Sequence, residues 1–526
     1  MKKQVCTFEH IWFFTLSCVA VFAYSLYMVD NYIVPKWCFS GLILLIGIII
    51  LSLKRILRRP IKWNALFCSY IISFVCFLQA IYGIMQWCQL LPSNGIYTVV
   101  GSFDNPAGFT SCLCSGFPFV LQCLYVSKEK VWRLVMKFAI LAIIIAVCLS
   151  ESRTGIISIS VLVVISLFLR FRIASKCQQI LLICMLLLFL GGSYFLKKDS
   201  ADGRLLIWRC SWEMVKDAPI WGHGTGSFLR YYMNYQADYF EKYPNSYFTM
   251  LADSVQSPFN EYLSLILDFG FIGFGILIIV FVFLLYAYYC SIDRGKNTVL
   301  LSIIGIGVFA FFSYPLTYPF VWIIIIYSIC VLFKEFFHRF SNTTIISFLS
   351  YVTFLFSIIL LFPLCQRINA EYRWNGAYVN KQLSEYDQLM PVLGRDSYFL
   401  YNYAVELYDA GYVDKSYKIA LLCRRKWCCY DIELLLGDIC MSKENFSNAR
   451  LHYLKASLMC PNRFFPLYQL FNLYKRIGDE EKAYTMAQLI EEKDVKVPSV
   501  VVRQIKYKIR CYMKSIKKGG SKNRFK

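Results

Sequence analysis

Apolar and polar positions fall in long blocks over the first two thirds of the chain. Apolar runs recur near 11–29, 37–53, 64–86, 107–126, 134–150, 154–169, 179–196, 261–290, 298–313, 318–333 and 344–365. Apolar runs of roughly 17 to 25 residues cross a bilayer as helices, so about eleven spans are predicted. One long polar stretch, 197–260, interrupts the series. After Arg367 the apolar runs shorten, and Tyr, Asn, Lys and Asp appear at helical spacing. A period of about 33 to 34 residues then aligns Ala404, Gly437 and Phe471, the length of a tetratricopeptide repeat. The same frame aligns Ser416, Ala449 and Ala483, then Ala420, Tyr453 and Ala487, then Cys423, Ala456 and Ile490. Small residues at these offsets let two helices pack closely. The pattern therefore predicts an all-α protein. A polytopic helical membrane domain (1–366) carries a large outer loop (197–260). A tetratricopeptide-type α-solenoid (367–495) follows, with three repeats and an extra helix on either side. A basic amphipathic tail (496–526) ends the chain, with Val501, Ile505, Ile509, Tyr512 and Ile516 at helical spacing and no Asp or Glu after Lys496.

Composition sharpens this picture. The chain has 526 residues, 58% of them hydrophobic, and a mean hydropathy of +0.51, more apolar than a soluble protein of this length can bury. A formal charge of +22 would suggest nucleic acid in a soluble chain. Here most of it follows membrane orientation, because cytoplasmic loops carry the excess of Lys and Arg. With a cytoplasmic N-terminus, the inside segments hold Lys2 and Lys3, Lys54 to Lys62, Lys128 to Lys137, Arg170 to Lys176, Arg294 with Lys296, and Lys334 with Arg339. The short outside loops hold Lys36 and Arg153. The 197–260 loop and the C-terminal domain then face outward, into the periplasm of a diderm bacterium. The 22 cysteines form no CxxC pair and many sit in apolar runs, where a thiol behaves as a small hydrophobe. They predict neither a disulfide framework nor a metal site, and no cofactor is called for. Lys2 and Lys3 precede an apolar run, but Glu9 and His10 interrupt the approach and no cleavable signal is expected.

Arg153 breaks the charge pattern. It sits in SESRTG, a tight outer connection between apolar runs, where a guanidinium is costly and tends to be paired or functional; Glu151 is the plain pairing partner. GSFDNPAGF (101–109) is an outer loop without Lys or Arg, read as turn chemistry. The large loop carries GRLLIWRCSWEMVKDAPIWGHGTGSF and runs into FNEYLSLILDFGFIG. Its many aromatic residues suit either sugar faces or the membrane–water interface.

In their order along the chain, these elements resemble the superfamily of O-antigen ligases, Wzy polymerases and bacterial O-oligosaccharyltransferases over roughly residues 95–320. The resemblance implies metal-free transfer of a glycan from a polyprenyl pyrophosphate-linked donor to an acceptor hydroxyl at the outer face of the bacterial inner membrane. It implies pyrophosphate-binding roles for the matching arginines, Arg153 and Arg204. In the pattern His-(Asn/Ser/Gln)-x9-Gly-x-x-(Gly/Thr/Tyr), Asn260, Gly270 and Gly273 match, while Phe259 occupies the histidine position.

Phenylalanine cannot take a proton, so either another group serves as base or the chain is not a ligase of that kind. Glu261, two residues on, is one candidate, since carboxylates do general-base work; a first-turn helix charge is its plain reading. His223, in GHGTG, is the other, with a turn role as the alternative. A leaving pyrophosphate needs positive charge, and arginine's planar fork suits phosphate oxygens. Arg209, five residues after Arg204, joins Arg153 and Arg204 on that account. The expected partners are the lipid-linked glycan, an acceptor glycolipid, glycan or protein, the inner membrane, and a protein partner on the repeat domain. Nucleic acid is not among them. A non-enzymatic scaffold of an envelope glycan complex is the competing reading. Transport has less support, since no paired mid-span acids or repeated spans are evident.

Overall fold

The computed structural model describes residues 7–171, 198–293, 295–334 and 343–522. The described secondary structure is helical. In chain order the membrane region contains α1 (Phe8–Phe22), α2 (Ile33–Ile56), α3 (Ala65–Trp87), α4 (Pro106–Val126), α5 (Lys130–Leu149) and α6 (Arg153–Phe171). The polar insertion holds α7 (Lys198–Asp217) and α8 (Ser227–Lys242). Then come α9 (Glu261–Cys290), α10 (Lys296–Phe312), α11 (Pro319–Leu332) and α12 (Thr343–Asn380).

Six of these helices, α2, α3, α4, α5, α9 and α12, are long and apolar enough to cross a membrane; α1, α6, α10 and α11 are apolar but shorter. The predicted span 179–196 lies outside the described residues. Six therefore meet the length and hydropathy of a span, against the eleven expected. This is a multi-pass helical membrane protein.

The chain divides into two compact units. One comprises Met1–Leu196, Phe259–Tyr262 and Gly275–Val379; the other comprises Lys197–Pro258, Leu263–Phe274 and Asn380–Lys526.

In the first unit α4 is the central helix, its side chains buried nearly all round. Asn105 caps it by accepting from Gly108 N at 2.9 Å, and Pro106 opens it, the ordinary start signals of a helix. Small residues bring neighbouring backbones close. A Cβ on Gly116 would lie 2.1 Å from Cys76 Sγ on α3. Ser302 Oγ on α10 donates to Ser115 O at 2.5 Å, and Ser158 Oγ on α6 donates to Gly305 O at 3.0 Å.

The second unit continues with α13 (Leu383–Leu393), α14 (Ser397–Asp409), α15 (Val413–Arg424), α16 (Tyr430–Ser442), α17 (Phe446–Met459), α18 (Phe465–Ile477), α19 (Glu480–Glu492) and α20 (Val500–Lys522). Helices α14 to α19 form three successive hairpins. Ala404, Ala420, Cys423, Ala449, Tyr453, Ala456, Phe471, Ala483, Ala487 and Ile490 are all buried in them.

The insertion packs on this array. Gln236 Nε2 of α8 donates to Met459 O at 2.6 Å, Asn462 Nδ2 donates to Ala252 O at 2.6 Å, and Cys428 N donates to Leu229 O at 3.0 Å. Helix α20 buries Ile505 and Ile509 and joins the last hairpin through Tyr512 Oη, which donates to Glu480 at 2.6 Å. The apolar edge of the basic tail is thus used within its own unit, and Arg503, Lys508 and Lys514 remain exposed.

Candidate functional site

The loop before α4 is fixed by side chains from below. Gln86 of α3 accepts from Val100 N (3.0 Å) and Gly101 N (2.7 Å) and donates to Gly101 O (3.0 Å). Gly101 has φ +55°, and a Cβ there would lie 2.1 Å from Gln79 Nε2; glycine is the residue that this close, left-handed position admits. Lys36 of α2 is fully buried and donates to Ala23 O and Ser102 O, both at 2.7 Å. The sequence offered Lys36 as a loop cation. The structure makes it an interior brace.

Two residues past Ser102, the Asp104 carboxylate receives Tyr318 Oη at 3.1 Å and Asn105 Nδ2 at 2.6 Å. Asn105 Nδ2 also lies 3.2 Å from the Tyr314 hydroxyl and 3.0 Å from that of Tyr318. Burial raises the pKa of Asp104, opposed by the hydrogen bonds from Tyr318 and Asn105 and assisted by the charge of Asp30. Gly108 makes room for Tyr318, whose ring atoms lie 2.5 to 2.8 Å from where a Cβ would stand.

Tyr314 and Tyr318 flank a short 3-10 turn, Pro315–Thr317. Glu261 Oε1 accepts from Leu316 N in that turn at 3.1 Å, and Trp37 Nε1 donates to Thr317 O at 2.8 Å. Phe259 packs on Tyr314, ring centroids 5.6 Å apart. Asn260 is buried beside it in sequence. Arg153 opens α6 at the same turn's approach: Thr154 Oγ1 donates to Phe312 O at 3.5 Å, and Ser152 Oγ pairs with Thr110 Oγ1 of α4 at 2.9 Å. Arg153 Nε and Nη2 are shielded from solvent with no hydrogen-bond partner among the described residues. Buried donors without partners are costly, and an anion would satisfy them. The turn and its flanking tyrosines thus gather Glu261, Phe259 and Asp104, and Thr154, next to Arg153, reaches Phe312 just before it.

The remaining sequence candidates lie in the second unit. Gly270 interrupts α9 with φ 63° and ψ −165°. Around it the backbone trades bonds with the GHG turn: His223 N donates to Leu267 O (2.8 Å), Gly224 N to Asp268 O (2.9 Å) and Phe271 N to Pro219 O (2.8 Å). A Cβ on Gly270 would lie 2.1 Å from Ile220 O. This close approach is the physical reason for glycine there. Gly273 meets Phe269 one turn earlier, where a Cβ would come within 2.5 Å. Asp268 caps α8, accepting from Ser227 N at 3.0 Å and Ser227 Oγ at 2.7 Å. His223 Nε2 lies 2.7 Å from Met214 O, so it carries a proton and donates there, leaving Nδ1 for other chemistry. Arg204 and Arg209 both lie on α7. Arg209 stacks over Tyr239 (5.2 Å) and Tyr243 (5.7 Å) of the insertion, and Arg204 is half-buried.

Sequence reasoning missed Asp104, Tyr314, Tyr318 and Asp268. The available signal was a carboxylate and an amide beside Pro106 in a loop without cations, which turn chemistry alone seemed to explain.

These helices and this loop cluster define a multi-pass membrane protein with a polar site at one end of its helices. Residues 138–278 match the family model described as Wzy_C, O-antigen ligase. The matched segment spans Arg153, both α7 arginines, His223, Glu261, Gly270 and Gly273. No curated protein matches the chain.

Proposed function

We propose that the protein is a membrane glycan transferase that moves a glycan from a polyprenyl pyrophosphate donor to an acceptor hydroxyl at the outer face of the inner membrane, with its N-terminus cytoplasmic. The observation that carries this reading is Arg153, a guanidinium with two shielded nitrogens lacking partners among the described residues, next to Thr154, which reaches Phe312 O just before the turn where Glu261 and Tyr314 meet. The O-antigen ligase family match over 138–278 supports it.

In this reading Arg153 stabilises the charge that develops on the leaving pyrophosphate. The glycosyl carbon–oxygen bond to phosphate breaks, its electron pair staying on the polyprenyl pyrophosphate. The acceptor oxygen forms the new glycosidic bond and gives its proton to a base. Glu261, whose carboxylate meets the turn that Tyr314 and Phe259 flank, is the first candidate base, and His223, which donates through Nε2 and keeps Nδ1 unprotonated, is the other. The hairpins α14 to α19 are read as three tetratricopeptide-type repeats that brace the insertion and offer a surface to a protein partner.

The test is a comparison of envelope glycans from native cells carrying wild type, Arg153→Ala or Arg153→Lys, each at normal abundance. Removing one such donor costs roughly 100-fold or more in rate, so the mature glycan is lost and the accumulating species identifies the acceptor. Lysine lacks the fork and does not restore transfer. An unchanged glycan pattern in Arg153→Ala overturns the transferase reading in favour of the scaffold, which Phe259 at the motif histidine position would then explain.

A further inference from the structure

The C-terminal helix α20 has two unlike sides. On one, Ile505 and Ile509 are buried and Tyr512 packs on Phe471, ring centroids 4.8 Å apart. On the opposite side Arg503, Tyr507, Arg510 and Lys514 follow one another at helical spacing, and all of them are exposed. Arg510 pairs with Glu491 at 2.8 Å. Arg503, Lys514 and the flanking Lys508 form no ion pair among the described residues. From Lys496 to Lys526 the chain holds eleven Lys or Arg and no Asp or Glu, so this side is cationic along its length.

The head of the helix adds apolar surface. Val497, Val500 and Val501 are each more than half exposed, as is Tyr507 among the cations. A cavity of about 400 Å³ opens beside these valines, lined by Arg463, Lys496, Phe465, Val497 and Val501 among others. Cations interleaved with exposed valines and a tyrosine suit the boundary between lipid headgroups and acyl chains, where charge meets phosphate and apolar groups leave water. An acidic polysaccharide would match the cations but offers the valines no apolar phase. Helix α12, long and apolar enough to cross a membrane, leads straight into this unit, so a bilayer surface is always present at high effective concentration.

We propose that residues 496–514 form a membrane-surface anchor for the second unit, with Lys496, Arg503, Lys508 and Lys514 on the phosphates of anionic phospholipids and Val497, Val500 and Val501 at the acyl boundary. The anchor is independent of the transferase reading, because it binds lipid as a surface and takes no part in group transfer.

The test uses the full-length protein in bilayers of phosphatidylcholine, or of phosphatidylcholine mixed with phosphatidylglycerol. Acetylation rates of Lys508 and Lys514 are read by mass spectrometry relative to Lys443, an exposed lysine of the same unit that pairs with Asp414. Each Lys or Arg near an anionic leaflet contributes roughly fivefold in binding, so both lysines are expected to react roughly fivefold or more slowly in the anionic bilayer. Salt at about 1 M, where the Debye length is about 3 Å, is expected to restore the rate.

A variant carrying both Val500→Asp and Val501→Asp separates lipid contact from charge alone. Acids are favourable in the first turn of a helix, so the fold is kept, and the slowing is expected to fall several-fold. Equal rates in the two bilayers, or slowing that survives the paired substitution in full, overturns the anchor. If polygalacturonate then slows labelling in the neutral bilayer, the partner of this face is an acidic glycan. None of these readouts needs turnover, so the anchor stands or falls separately from the transferase.

Discussion

The ring of Phe259 rests on that of Tyr314, with centroids 5.6 Å apart and planes inclined by 55°. Phe259, which the sequence pattern sets at a histidine position, is a packing contact. Its neighbour on the turn leads directly to Asn105 and Asp104.

Replacing Phe259 with histidine puts an ionisable ring at this contact. Phe259→His is expected to retain transfer and to add an ionisation near the ordinary histidine pKa of about 6.5 to the rate profile. The profile of product formation between about pH 5 and 8 checks this; an identical profile in both proteins shows that the position does not reach the reacting atoms.

Gly270→Ala is expected to be among the most damaging single substitutions in the second unit. It places a side chain at φ 63° and within 2.1 Å of Ile220 O, adding strain of about 1–3 kcal/mol to a backbone clash. Abundance and thermal unfolding of the full-length protein report the loss, which a second change at Gly273 should exceed only slightly if the break at Gly270 is the critical feature.

Lys36→Met preserves volume but removes the donor to Ala23 O and Ser102 O. An unsatisfied buried acceptor costs about 1–3 kcal/mol. The variant is expected to loosen the loop up to Asp104, seen as faster amide exchange at Val100 and Gly101, whose N–H groups Gln86 holds.

The buried Glu433 gives the helical unit an acid-sensitive point. Its carboxylate meets Arg424 at 2.7 Å, His452 at 2.6 Å and Lys455 at 3.4 Å. Burial pushes its pKa up, but the hydrogen bond from His452 and the charges of Lys455 and Arg424 win, holding it below the usual range. A lowered native pKa contributes stability that is complete above the unfolded value of about 4.3 and is lost as pH falls through the native value. Glu433→Gln is expected to cost about 1–3 kcal/mol at neutral pH, less than a fully enclosed pair because its partners are partly exposed. Thermal unfolding at neutral and acidic pH checks that the gap between the two proteins narrows on acidification.

The helical character of the chain and the positions of its hairpins were legible because burial writes a period into sequence. Ala404, Ala449 and Ala483 are small where two helices touch, and the structure buries all three. Span number was less legible, since α1, α6, α10 and α11 are apolar yet short, and hydropathy alone does not separate a short span from a buried core helix. Glu261 and Arg153 could be picked out because charge beside apolar runs is costly. Asp104 could not, because its meaning depends on Tyr314 and Tyr318, which lie more than 200 residues away in the chain. Gly270 was visible as a motif position, while its reason, the backbone exchange with the GHG turn, is a tertiary fact.

The insertion and the C-terminal hairpins share hydrogen bonds such as Gln236 to Met459 and Asn462 to Ala252. During synthesis Gln236 and Ala252 leave the ribosome long before Met459 and Asn462. At about 5–20 residues per second, α8 waits on the order of ten to forty seconds for Met459 to be made. Over that interval Tyr232 and Phe240, both buried in the finished unit, have no hairpin array to cover them, so the packing of the insertion is completed only after the C-terminal hairpins are made.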